Sequence, residues 1–258
     1  MANVKIEGIV LSVREYSDND AIVNLLVKNS GIESFMIRGY KKSKKQLNAN
    51  IFVMTNGVFI GTHPKNNTLG YITDIDTVSQ VQNISIDIYL SAYLSHIGEL
   101  FIDAFEKNSV SNFWYLNFLA GINLIEKGAE VKNIVNFFEV RLLEPLGVKP
   151  NLYSDSIDGT TTGIFDYSEK YNGIIEKKHF ALDEYRLHVS NKVINVLRWY
   201  SMADLTKVNN FDISSDTQRA VQRVINLIYD RQIGLKTRSK KVIEQMNAME
   251  RLSLNEQG

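Results

Sequence analysis

The stretch Ala21-Ile22-Val23-Asn24-Leu25-Leu26-Val27, then Asn29-Ser30-Gly31, then Ile32 to Arg38, decides how the first part of the chain folds. Side chains branched at Cβ suit a pleated strand better than a helix, and Asn-Ser-Gly supplies the turn chemistry that lets a second strand return beside the first. On the N-terminal side, Lys5 to Glu15 is an extended run through Ile6, Gly8 and Val10. On the C-terminal side, Ile51 to Gly61 is apolar and interrupted by Asn56-Gly57, either a tight hairpin turn or a bulge inside one long strand. His63-Pro64-Lys65-Asn66-Asn67 is a turn, and Leu69 to Val78 alternates again. Five short strands in under eighty residues predict a small closed barrel, because closure leaves no unpaired edge. An OB-type barrel is expected; an SH3-like barrel would show a similar strand count.

Beyond Gln80 the period changes. Ile86, Tyr89, Leu90, Tyr93, Leu94, Ile97, Leu100 and Phe101 recur at three- and four-residue spacing, the mark of an amphipathic helix. Asn112 to Lys127 and Glu130 to Leu146 repeat it around Gly128, and Pro145-Leu146-Gly147 ends the second. Pro150 to His179 is rich in Ser, Asp, Thr and Gly and reads as an irregular insert. Helices resume over Ser190 to Met202, with Ser190 as N-cap, over Ser215 to Ile233, and over Lys240 to Arg251. The fold class is therefore α+β: a barrel over 1–80, then a mainly helical domain over 81–258 that contains the insert at 150–180.

A chain of 258 residues with 44% hydrophobic and 22% charged content can bury a core, which argues against disorder. It has no apolar run long enough to span a bilayer and no signal-peptide core at Met1 to Glu7, so a cytoplasmic protein with no membrane partner is expected. The absence of cysteine excludes disulfides and thiolate metal sites.

Positive and negative side chains balance at 29 each, so net charge says nothing about a polyanionic partner. Their distribution does. No acidic residue lies between Glu33 and Asp74, a window holding Arg38, Lys41, Lys42, Lys44, Lys45 and Lys65. A second acid-free run, Arg231 to Lys241, holds Arg231, Lys236, Arg238, Lys240 and Lys241. Segregated charge of this kind is an electrostatic footprint for phosphates. Arg38-Gly39-Tyr40-Lys41-Lys42-Ser43-Lys44-Lys45 reads as a basic loop between barrel strands, with Tyr40 available to stack on a base. Charge runs are often only solubilising, but a solubilising loop needs no surrounding exclusion of carboxylates. Arg238-Ser239-Lys240-Lys241 opens a helix, a natural place for a phosphate. With Arg14, these residues form the candidate nucleic-acid-binding set.

Within the insert, Asp155-x-x-Asp158 and Glu176-x-x-His179 have the spacing of a zinc knuckle, yet three carboxylates and one imidazole make a poor structural zinc site. No metal and no cofactor are expected. Enzymatic motifs are missing: the chain has no Gly-x-x-x-x-Gly-Lys-Ser/Thr, no Gly-x-Ser-x-Gly and no His-Glu-x-x-His. His96 and Glu99 sit one helical turn apart on an apolar helix, which reads as structural, and Trp114 and Trp199 fall in core patterns. A non-enzymatic protein is expected.

Three motifs, in order along nearly the whole chain, resemble the recombination mediator family RecO. The first runs from Gly8-Ile9-Val10-Leu11 through Arg14-Glu15-Tyr16-Ser17-Asp18-Asn19-Asp20 to Arg38-Gly39 and the lysines, with Asp18 where Glu is usual and Tyr40 and Lys45 in place of Ala and Ser. The second is Phe138-Glu139-Val140-Arg141-Leu142-Leu143-Glu144-Pro145-Leu146-Gly147, and the third Gly234-Leu235 through Arg238-Ser239-Lys240-Lys241-Val242-Ile243. The resemblance implies a bacterial, nucleoid-associated DNA-repair protein that binds single- and double-stranded DNA and anneals strands coated by single-strand-binding protein. It also implies binding to that protein's acidic C-terminal tail and to RecR, so that RecA is loaded indirectly. Many members carry two Cys-x-x-Cys pairs as a zinc module; here Asp155, Asp158, Glu176 and His179 occupy those places, with Gly159 and Gly173 kept, and hydrogen bonds or contacts of Ile157, Ile164, Phe165 and Ile174 are expected to hold the loop. Alternative readings are a protein–protein adaptor with only incidental DNA binding, and a metal-dependent enzyme using the insert carboxylates.

Overall fold

A computed structural model describes residues 3–42, 50–65, 68–81, 87–106, 109–210 and 212–255. β1 (Val4–Glu15), β2 (Ala21–Val27), β3 (Gly31–Ile37), β4 (Asn56–Thr62) and β5 (Gly70–Ser79) close into a barrel in the order β1-β2-β3-β5-β4. All neighbours are antiparallel except β3 and β5, where Phe35 and Met36 run parallel to Gly70 and Tyr71. This is the OB-type arrangement. Ile6, Val10, Val23, Leu25, Phe35, Ile37, Phe59 and Ile72 point inward and fill it. Asn56-Gly57 is neither a hairpin turn nor an interruption of a long strand. It opens β4, after a turn closed by the Thr55 amide on the Phe52 carbonyl, and the irregularities of β4 lie further on, at Val58/Phe59 and Ile60/Gly61.

The helices are α1 (Ile88–Ala104), α2 (Asn112–Glu126), α3 (Val131–Leu142), α4 (Asn191–Met202), α5 (Ser215–Ile228) and α6 (Arg238–Asn255). Asp87 caps α1 through the Leu90 amide and Ser190 caps α4 through the Val193 amide. Ile86 lies outside the described residues. α5 runs on into a wider turn, Tyr229–Ile233, stopped by Gly234 at φ 70°. The insert is more regular than its composition suggests: β6 (Phe165–Ser168) and β7 (Gly173–Glu176) form a hairpin.

Contacts divide the chain into two compact units, one of 1–131, 205–207 and 236–258, the other of 132–204 and 208–235. In the first, α1 lies directly on β1: a Cβ on Gly98 would meet the Leu11 carbonyl oxygen at 2.1 Å. Tyr115 of α2 reaches Glu7 and Asn56 of the barrel through its hydroxyl. Trp114 packs edge-on to Phe101 and Phe105, with ring centroids 5.5 and 5.2 Å apart. In the second, Phe137, Phe138, Leu197, Tyr200, Val221 and Ile225 are buried.

Candidate nucleic-acid interface

The basic loop leaves the barrel at Arg38-Gly39. Gly39 sits at φ 65°, a left-handed conformation that costs a residue with Cβ about 1–2 kcal/mol. Its amide donates to Asp20 Oδ1 at 2.9 Å, and the Lys41 amide donates to the Asn19 carbonyl at 3.2 Å. The β1–β2 turn, itself closed by the Tyr16 amide on the Asp20 carbonyl at 2.9 Å, thus holds the root of the loop. These bonds give Asp20 and Gly39 their work: one fixes the loop's start, the other lets it turn.

Among the candidate cations, Arg14 and Arg38 are exposed, and the Arg38 guanidinium lies 5.2 Å from the centroid of the Tyr71 ring. Lys41 Nζ pairs with Glu15 Oε2 at 2.8 Å, and with side chains 42% and 65% exposed such a pair contributes under about 1 kcal/mol and yields readily to a phosphate. Lys65 starts a turn whose Thr68 hydroxyl accepts from the Lys65 amide at 3.2 Å and donates to its carbonyl at 2.6 Å. Lys42 ends the short 3-10 turn Tyr40–Lys42, and Lys44 and Lys45 lie outside the described residues. Tyr40 packs partly against the barrel core and donates to the Ile51 carbonyl at 3.4 Å; burial, then the Glu15 charge, raises its pKa. Its ring therefore anchors the loop.

The start of α6 is built differently from a vacant anion site. Thr237 is its N-cap, with its hydroxyl accepting from the Lys240 amide at 3.0 Å. Glu99 of α1 takes the Ser239 amide at 3.1 Å and the Ser239 hydroxyl at 3.0 Å. The carboxylate thus already stands where the helix end favours negative charge. His96 Nδ1 lies 2.7 Å from the Thr237 hydroxyl. His96 and Glu99 dock the last helix, a structural role. Arg238 and Lys241 stay exposed and Lys240 half-buried.

In the insert, Asp155 is 1% exposed and acts as a hub. Its Oδ1 accepts from the amides of Ile157 at 2.6 Å and Asp158 at 3.2 Å, and its Oδ2 from the Glu176 amide at 2.5 Å. His179 Nδ1 lies 2.9 Å from the same Oδ2. Burial alone would raise the Asp155 pKa, but these bonds outweigh it and lower it. Lys178 Nζ stands 2.6 Å from Asp158 Oδ2, which lowers the Asp158 pKa and raises that of Lys178. Glu176 turns its carboxylate to the Lys178 amide. Ligand atoms of Asp155, Asp158 and His179 come within 4.8 Å of one another, yet an ammonium shares the cluster and both Asp155 oxygens are engaged. This donor set does not fit a structural zinc, which prefers thiolates and imidazoles. One carboxylate instead ties together all four ligand positions. Of the apolar residues expected to help, Phe165 and Ile174 are buried, while Ile157 and Ile164 are 38% and 52% exposed.

Two features escaped the sequence reading. Tyr16 and Tyr71 are exposed aromatics at 61% and 37%, Tyr71 placed by its register with Met36 and Tyr16 by the turn that follows β1. The second unit also holds an open pocket of about 600 Å³ with Val140, Leu143, Leu152 and Met202 in its lining, beside Arg141 and the ion pair of Lys149 with Glu144 at 2.6 Å. No helix among the described residues is long and apolar enough to cross a membrane.

Barrel order, helical continuation and cysteine-free insert define a two-part class, an OB-type barrel joined to a helical domain. The family described as "Recombination protein O N terminal" matches residues 1–81 and "Recombination protein O C terminal" residues 86–241. A "DNA repair protein RecO" of Leuconostoc citreum (strain KM20) is 44% identical over 97% of this chain and 95% of its own length. One of Leuconostoc mesenteroides is 40% identical over 97% of both, and one of Ligilactobacillus salivarius 35% over 96% of both. The chain belongs to the RecO family of DNA repair proteins.

Proposed function

We propose that this protein is a non-enzymatic DNA-binding mediator that holds single- and double-stranded DNA, anneals complementary strands and assists recombinase loading. The observation that carries the reading is the acid-free, cation-bearing stretch from Arg38 to Lys65, whose root is pinned by Asp20 and Asn19 to the barrel's β1–β2 turn. Annealing needs no hydrolysis. Cations that hold two strands screen their repulsion and raise their effective concentration. Arg14, Arg38, Lys41, Lys42, Lys44, Lys45 and Lys65 supply the barrel part of this surface, with Tyr40 anchoring the loop. Arg238, Lys240 and Lys241 supply a second part at the start of α6, where Ser239 secures the helix to Glu99.

Partners follow the same chemistry. The pocket of the second unit, largely apolar with Arg141 in its lining and Lys149 paired there with Glu144 at 2.6 Å, is the proposed seat of an apolar peptide ending in carboxylates, such as the tail of single-strand-binding protein, whose carboxylate would have to displace Glu144 from Lys149. RecR is the proposed protein partner, with RecA reached indirectly, and a nucleoid-associated cytoplasmic location is the corresponding expectation. The adaptor reading differs in making DNA dispensable.

Fluorescence anisotropy of a labelled single strand across a salt series tests the proposal. Binding should weaken with a log–log slope of about −0.7 per phosphate contacted. Reversing the charge of Lys41, Lys42, Lys44 and Lys45 together should weaken binding to every sequence and flatten the slope, leaving base preference unchanged. No binding at low salt would reject the mediator in favour of the adaptor. Annealing of strands coated with the cognate single-strand-binding protein then tests the activity itself.

A further inference from the structure

The barrel's register collects an outward row that the charge pattern alone does not show. Arg14 pairs with Ile22, Ile22 with Met36, and Met36 with Tyr71, across β1, β2, β3 and β5. Directly paired residues project to the same side of a sheet. The neighbouring row Val13, Val23, Phe35 and Gly70 faces the core, with Val23 and Phe35 fully buried. The Arg14 row therefore faces out. Ile22 and Met36 are partly exposed at its middle, between Arg14 and Tyr71 at its ends. One row further along, Ser12, Asn24 and Ser34 are hydrogen-bonded to one another, Asn24 Nδ2 to Ser12 Oγ at 2.9 Å and Ser34 Oγ to Asn24 Oδ1 at 2.6 Å. Beyond these, the outward residues Ile9, Leu26 and Ile32 are buried. The outer face thus passes from covered and apolar, through neutral and polar, to an open row that carries Arg14, two apolar side chains and Tyr71, with the Glu15 carboxylate beside it engaged by Lys41 at 2.8 Å.

We propose that Tyr71 and Tyr16 are base-stacking groups, and that a single nucleic-acid strand crosses this strip with unstacked bases on the two rings and phosphates at Arg14 and Arg38. The proposal rests on the DNA-binding reading above and makes it specific. Arg38 lies over the Tyr71 ring at 5.2 Å, close enough for a cation–π contact that holds ring and guanidinium as a ready platform. Tyr16 is 61% exposed, and its main chain is fixed by the turn that also anchors the basic loop. A ring that water reaches on a fixed backbone loses little entropy when a base covers it. Every base has a π-face, so the contact tolerates any sequence, whereas a duplex keeps its bases inside the helix and gains nothing from it.

The test uses the full chain with labelled oligothymidylate and with a duplex of equal length. Stacking is worth about 1–3 kcal/mol per base, or roughly 5- to 150-fold in affinity. Tyr71→Ala and Tyr16→Ala should each weaken single-strand binding by at least about 5-fold, leave duplex binding within about 2-fold, and leave the salt slope unchanged, since no charge is removed. Tyr71→Phe keeps the ring and should restore single-strand affinity. Tyr71→Trp should show fluorescence quenched by oligothymidylate beyond the response of wild type. Alanine variants that bind single strands normally, or that lose single-strand and duplex binding equally, overturn the stacking role while the charge-reversal result leaves the interface standing. A wild-type chain that binds neither DNA overturns the interface itself.

Discussion

At the scale of single residues, Asp155 shows how one buried carboxylate can organise a whole loop. It sits inside the insert and accepts from the main chain at Ile157, Asp158 and Glu176 and faces His179. Asp155→Asn turns an NH₂ group towards these donors and should cost about 2–3 kcal/mol, measured by chemical denaturation of the full chain. The folded pKa lies below the ordinary 3.8. The group therefore contributes stability that is fully present above that value and lost as pH falls through the lower, folded one. Wild type should lose denaturant resistance as pH falls below about 4, beyond the loss shown by Asp155→Asn. Adding zinc should shift neither protein's unfolding midpoint. The pairing Asp155-x-x-Asp158 with Glu176-x-x-His179 was legible in the sequence as a spacing. That Asp155 turns inward while Glu176 turns to the Lys178 amide was not, because spacing says nothing of where backbone amides point.

Among elements, α1 carries two demands on one helix. Its contact with β1 leaves no room at Gly98, so Gly98→Ala forces helix and strand apart and should cost about 1–3 kcal/mol, read as a lowered Tm. Its His96 and Glu99 hold the start of α6, and Glu99→Ala should cost about 1–2 kcal/mol and speed amide hydrogen exchange in the first turn of α6. The strands and the helical period of α1 were readable from alternation and from three- and four-residue spacing, since these are local. The roles of His96 and Glu99 were not, because Ser239 stands 140 residues away in sequence. Turn chemistry misled at Asn56-Gly57, which reads as a hairpin turn or a bulge but which the β1 and β5 pairings draw into the start of a strand.

For the whole molecule, the sequence showed where strands give way to helices near residue 80, while only long-range contacts show that α1, α2 and α6 form one unit with the barrel. Charge segregation was legible because acidic residues are absent over a continuous stretch of chain. The outward strip from Arg14 to Tyr71 was not, since it is assembled across β1, β2, β3 and β5 by register. A chain ending at Leu235 lacks α6 and should show lost protection from hydrogen exchange in α1, with β6 and β7 of the other unit protected as before.

The nesting of residues 132–204 and 208–235 among the three segments of the barrel's unit also sets an order of birth. Synthesis delivers the barrel strands first, then the whole of the other unit, and only afterwards Thr237 and Ser239, for which α1 has been waiting on the order of ten seconds at bacterial ribosome speeds. The part of the chain translated first is thus the last to be finished.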